Sequence, residues 1–145
     1  KPLIERVEVT GNPVVELYAA SSAPDTDWFV RLIDVAPGGL ARDVSSGIMR
    51  ARYRDGPEKP KLIEPGKVVR YAIRMSPTSN AFLTGHRIRL DITSSDFPNY
   101  DRNHNTPFDQ NADARLAIAK QTIYHGVNHA TRIILPLVPN SEKND

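Results

Sequence analysis

Residues 86–94 read HRIRLDITS, with an apolar residue at every second place: Ile88, Leu90 and Ile92 alternate with Arg87, Arg89, Asp91 and Thr93. A period of two belongs to an extended strand, whose side chains leave the backbone on opposite sides. One face therefore belongs on a core, with Ile88, Leu90 and Ile92 buried, and the other faces water or a partner. A slip of one residue would reverse every side chain, so the pattern selects one arrangement. The same period recurs along the chain. In residues 14–20 (VVELYAA), Val15, Leu17 and Ala19 share one face and Glu16 lies on the other. In residues 28–35 (WFVRLIDV), Trp28, Val30 and Leu32 oppose Phe29, Arg31 and Ile33, so neither face is wholly polar. In residues 68–75 (VVRYAIRM), Val69, Tyr71, Ile73 and Met75 form an apolar face, and Arg70 and Arg74 point away from it. Residues 48–53 (IMRARY), 121–125 (QTIYH) and 131–138 (TRIILPLV) read as further strands.

Turn signals separate these runs: SSAPDTD at 21–27, Pro37-Gly38-Gly39, DGPEKP at 55–60 and Glu64-Pro65-Gly66. A long polar loop runs from Ser95 to about Asp113. Only residues 112–120 (ADARLAIAK) have helical composition, and that segment is short for a stable helix. The expectation is an all-β domain of at least six or seven short strands, a sandwich or jelly roll. At 145 residues one domain with one core is natural, spanning 1–139 and followed by a polar, frayed tail (NSEKND) at 140–145. A net charge of only +2, with acids interleaved among the bases, argues against a nucleic-acid partner. No run of about 18 apolar residues offers a membrane span, and the opening residues carry no signal-peptide pattern. The absence of cysteine excludes disulfides, thiolate metal sites and cysteine nucleophiles, and leaves the compartment open.

Four blocks of residues carry a family resemblance. They are 8–18 (EVTGNPVVELY), 25–35 (DTDWFVRLIDV) with 47–54 (GIMRARYR), 85–105 (GHRIRLDITSSDFPNYDRNHN), and 121–125 with 134–136. Together they resemble the C-terminal domain of the X-Pro dipeptidyl-peptidase and cocaine-esterase family of α/β-hydrolases. The third block is the most specific, because its order of turn, strand and polar loop is long and unusual. The resemblance implies a jelly-roll sandwich, similar to galactose-binding-like domains, packed as an accessory on a catalytic α/β-hydrolase domain that holds the Ser-Asp-His triad. No cofactor is assigned. The family domain has strands ahead of the EVTG block, so this sandwich is expected to lack its early strands. An exposed sheet edge would then allow a homo-oligomer.

No G-x-S-x-G elbow occurs, so no catalytic residue is assigned. The histidines at 86, 104, 125 and 129 have no compact metal-binding spacing, and no metal is assigned either. His86 reads as a strand-start residue with a satisfied ring. Asp25 and Asp27, or the acidic loop from Asp96 to Asp109, offer hard oxygen ligands to calcium, although a hydrogen-bonded turn is the simpler reading. Arg50, Arg52 and Arg54 recur at strand period: Arg50 and Arg54 read as a solvated sheet face rather than a platform for an acidic partner. Trp28 and Phe82 read as core, whereas Phe97 and Tyr100 stand inside a polar loop. The candidates for an inter-domain or substrate-entrance contact are Phe97, Tyr100, Asp101, Arg102, Asn103 and Asn105 in that loop, with Arg87 and Arg89 on the strand before it. The competing class is an independent carbohydrate- or ligand-binding sandwich.

Overall fold

The computed structural model describes residues 1–139, so the tail expected at 140–145 lies outside the described residues. Nine strands form among the described residues: β1 (Val7–Gly11), β2 (Val14–Ser21), β3 (Asp27–Val35), β4 (Ala41–Arg50), β5 (Val69–Arg74), β6 (Thr78–Phe82), β7 (Arg87–Thr93), β8 (Gln121–Ile123) and β9 (Arg132–Ile134). Every pairing is antiparallel. One layer has the order β4-β3-β7. In the other, β5 lies on one side of β2, and β8 and β9 share its other side at opposite ends. β1 and β6 form a ribbon stitched to the second layer, where Val9 bridges Leu137 and the Thr10 N–H donates to the Pro136 carbonyl. This is the expected all-β, jelly-roll-like sandwich. No helix among the described residues is long and apolar enough to cross a membrane.

The core follows from the alternation. Val15, Leu17 and Ala19 of β2, Trp28, Val30 and Leu32 of β3, and Tyr71 and Ile73 of β5 are all at most 1% exposed. Each large side chain buried in this way favours folding by about 1.5–3 kcal/mol. Register carries the pattern into β7: Ile92, Leu90 and Ile88 lie opposite Val30, Leu32 and Asp34, so Arg87, Arg89 and Asp91 emerge on the outer face. The expected burial of Leu90 needs correcting, because Ile88, Leu90 and Ile92 are only half-buried against the core. β7 is an edge strand among the described residues, and no neighbouring strand shields its second side.

The expected strand at 48–53 ends early. β4 stops at Arg50, and Ala51–Tyr53 form a 3-10 turn. The donors that would continue the ladder are diverted, Ala51 N–H to the Thr26 carbonyl and Arg52 N–H to the Asp25 carboxylate. β4 also crosses tightly over the end of β5. A Cβ on Gly47 would stand 2.8 Å from the Arg74 carbonyl oxygen, and the neighbouring Ser46 carbonyl accepts from Ser76 N–H. The Pro37-Gly38-Gly39 signal makes the β3–β4 hairpin, with Gly39 at φ +89°. Residues 112–120, helical in composition but short, form no helix. That segment is extended, and Ala117 N–H donates to the His104 carbonyl instead of to a helical neighbour.

Candidate inter-domain face

On β3 the residues pointing away from the core are Asp27, Phe29, Arg31 and Ile33. Phe29 and Ile33 are nonetheless buried. The loop after β7 folds back over this outer face and covers part of it. The Asp96 carboxylate accepts from Arg31, and the Tyr100 ring packs with its centroid 5.6 Å from that of Phe29. Further along, the Asn103 amide donates to both Asp25 and Asp27 at 2.9 Å.

These two aspartates are the loop's foundation. Both are buried, which a carboxylate tolerates only when paired and hydrogen-bonded. Arg50 donates to both oxygens of Asp27 at 2.9 Å, and this bond chiefly raises the guanidinium's pKa. Arg52 donates to Asp25 at 2.7 Å through Nε and to the Thr106 carbonyl at 2.9 Å through Nη2. Arg54 donates to the carbonyls of Ala51 and Lys61. The reading of Arg50 and Arg54 as a solvated face is therefore corrected: Arg50, like Arg52, partners a buried carboxylate, and Arg54 ties backbone carbonyls of the following turn. At this turn guanidinium and amide donors occupy the oxygens that a calcium ion would require. Among the described residues, no group of three or more acidic or histidine side chains is placed to hold a metal.

The eight candidate residues divide. Asn103 and Asn105 turn inward as anchors. Asn105 adopts φ +58°, a left-handed conformation that asparagine tolerates, and its amide donates to the Ala117 carbonyl. Tyr100 is 43% exposed with one side on Phe29, and Phe97 is 65% exposed with the Arg102 guanidinium 5.3 Å above its ring. Asp101 is exposed beside them. Arg87 and Arg89 are not brought to this end. They lie opposite Val35 and Ile33, whereas Tyr100 sits on Phe29, whose partner in β7 is Thr93. Arg89 pairs with Asp91 of its own strand at 3.0 Å. Trp28 and Phe82 are core, as their sequence context implies.

An open cleft of about 490 Å³ lies between the loop and β4, floored by Phe29 and Arg31 and walled by Asp43, Ser46, Asp96 and Tyr100. Arg31 and Asp43 escaped the sequence reading, because nothing in the linear chain shows that the outer face of β3 is roofed. At the opposite end of β3, His86 Nδ1 lies 2.7 Å from the buried Asp34 carboxylate, which also accepts from Arg42. The pairing resembles two-thirds of a triad, but the recess there is otherwise lined by Ala36, Leu40 and Arg42, none of them a nucleophile. His86 is the satisfied strand-start residue expected.

Comparison with known proteins fits this geometry. Residues 1–134 match the X-Pro dipeptidyl-peptidase C-terminal non-catalytic domain. The chain belongs to that family. The chain is 43% identical over 138 residues to a cocaine esterase of Rhodococcus sp., covering 94% of this chain and 24% of the esterase. Among solved structures it superposes on an α-amino acid ester hydrolase with a TM-score of 0.87 at 34% identity, covering 95% of this chain and 24% of that one. An aminopeptidase from a marine-sediment Thaumarchaeota archaeon gives 0.86 at 34% identity, covering 96% and 25% respectively. The domain thus spans about a quarter of the length of these relatives.

Proposed function

We propose that this domain is the non-catalytic brace of a serine hydrolase. In this reading it packs on an α/β-hydrolase catalytic domain of a longer parent chain and shapes the approach to that domain's active site. The parent is a dipeptidyl-peptidase, acylase or esterase, and the 145-residue chain alone hydrolyses nothing. The observation that carries the reading is the loop. It is pinned from beneath by Arg31, Asp25 and Asp27, while Phe97, Asp101 and Arg102 are held out into solvent. A loop ordered at this entropic cost is expected to present its outward side chains to something. Its relatives are roughly four times longer, and their names are those of esterases and peptidases.

Arg87 and Arg89 belong to this reading as a second inter-domain contact along the outer face of β7. The free edge of β7 is where a further strand would add, either from the parent chain or from a second copy. A carbohydrate-binding module has only the cleft beside Tyr100 in its favour, and Arg31 at the floor of that cleft is already taken by Asp96. The test replaces Tyr100 and Arg102 with alanine in the full-length enzyme and measures kinetics and stability separately. Impaired turnover or KM, with the isolated chain's stability nearly unchanged, supports the entrance role. Unchanged kinetics with a destabilised chain assigns the loop to folding alone.

A further inference from the structure

We infer that the extended strap at residues 111–119, with Phe108 and Phe97 beside it, is the surface on which the catalytic domain of the parent chain rests. The inference depends on the brace reading and adds which face meets the hydrolase.

The strap is the NADARLAIA stretch, and it has neither helix nor strand. Its path is nevertheless fixed through its backbone. Ala117 N–H donates to the His104 carbonyl and the Ala117 carbonyl accepts from the Asn105 amide, each at 2.9 Å. The Asp113 carbonyl lies 2.9 Å from His104 Nδ1. At the far end Lys120 N–H donates to Ser22 Oγ at 2.8 Å, and Ser22 N–H returns a bond to the Lys120 carbonyl.

The aliphatic side chains take no part in this anchoring. Leu116 is 61% exposed and Ile118 fully so. They flank Ala117, whose backbone is held by His104 and Asn105. Phe108 is 45% exposed, with the Arg115 guanidinium 4.1 Å over its ring. A shallow recess at the start of the strap is lined by Asn111 and Gln110, by His104, and by Phe97 and Arg102 of the loop tip. Holding a segment in place costs conformational entropy, and leaving its aliphatic side chains in water returns none of the hydrophobic gain. Exposed apolar side chains held in place among charged ones suit a protein contact.

The occupant follows from the comparisons. The strap lies within the 1–134 match to the family, and the relatives align over 94–96% of this chain. That alignment accounts for only 24–25% of their own length, so most of each relative is available to cover the patch. Leucine and isoleucine offer no hydrogen bonds to a sugar. They suit the apolar surface of a folded domain.

The experiment introduces a photoreactive benzoylphenylalanine at Ile118 of the full-length parent and maps cross-links by mass spectrometry. Links to the hydrolase portion of the same chain are expected. A companion Leu116→Asp, Ile118→Asp variant should lower the unfolding temperature of the full-length enzyme and leave that of the isolated 145-residue chain unchanged. Links confined to this domain, links between two copies, or a variant that destabilises the isolated chain equally would overturn the assignment. A parent gene without a hydrolase domain sinks the brace itself. A hydrolase domain that cross-links elsewhere sinks only this surface.

Discussion

At Asp25 and Asp27 two neighbouring buried carboxylates share three side-chain donors, Arg50, Arg52 and Asn103. Removing one partner leaves a largely buried charge unpaired. Asp25→Ala should therefore cost about 3–5 kcal/mol in urea unfolding, since Arg52 loses its buried counter-charge. Asn103→Ala removes only a neutral donor and should cost about 1–3 kcal/mol. A loss near zero for both would mean that the network does not hold the loop. Tyr71 shows the opposite case. Its hydroxyl is buried with no hydrogen-bond partner among the described residues, and burial is the main reason its pKa is raised. Tyr71→Phe is expected to change stability by less than about 1 kcal/mol, in either direction. Two carboxylates held below their usual range contribute to the acid limb. Bonding to Arg70, opposed by desolvation and aided by Arg132, lowers the pKa of Glu16, and Arg115 lowers that of Asp113 to about 2. Unfolded, such groups titrate near about 4, so between the two values the unfolded chain binds more protons. The stabilisation they provide is complete above about pH 4 and declines as pH falls toward the folded values. Melting temperatures followed across that range should fall less steeply in Glu16→Gln and Asp113→Asn. Slopes identical to that of the unmodified chain would remove these groups from the acid transition.

Among the elements, β7 and β4 make contrasting demands. Leu90 lies opposite Leu32 but is only half-buried, so Leu90→Ala belongs at the low end for a leucine truncation, about 2 kcal/mol. A cost near 5 kcal/mol would indicate that β7 is covered in solution. Gly47 has backbone where a side chain would go, so Gly47→Ala forces β4 away from β5 and should cost about 1–3 kcal/mol. The strap at 111–119 is the element whose conformation is least its own. Alanine-rich and helix-favouring, it is drawn out by bonds to His104, Asn105 and Ser22.

For the whole molecule, the isolated chain should show no amidase or esterase turnover above background on proline-dipeptide, acyl-amide or aryl-ester substrates. Stoichiometric labelling of a serine by a fluorophosphonate would contradict this. The isolated chain should also unfold at a lower temperature than the same domain in the parent enzyme, because the β7 edge and the strap would lose their cover. Equal unfolding temperatures would show that neither surface is covered in the parent.

The fold was legible in the sequence wherever one face of a strand meets the core. Val15, Leu17, Trp28, Val30, Tyr71 and Ile73 declare themselves by alternation, since burial on one side imposes a period of two. The short ribbon of β1 with β6 was not legible. Residues 78–82 (TSNAF) carry little alternation, and their pairing with β1 is set by partners about 70 residues away. The polar loop and the missing nucleophile elbow were legible too, as residue types in order. The tertiary structure alone decided which loop residues face inward. Asn103 and Asn105 look like Asn99 in the linear chain, but Asn103 reaches Asp25 and Asp27 from more than 70 residues away. The arginines at 50 and 52 carry the same charge as those at 87 and 89, and only folding sets buried carboxylates beside the first pair. A local pattern can specify which side of a strand is apolar. It cannot specify what comes to lie on the other side, because that depends on contacts made only after the chain has closed on itself.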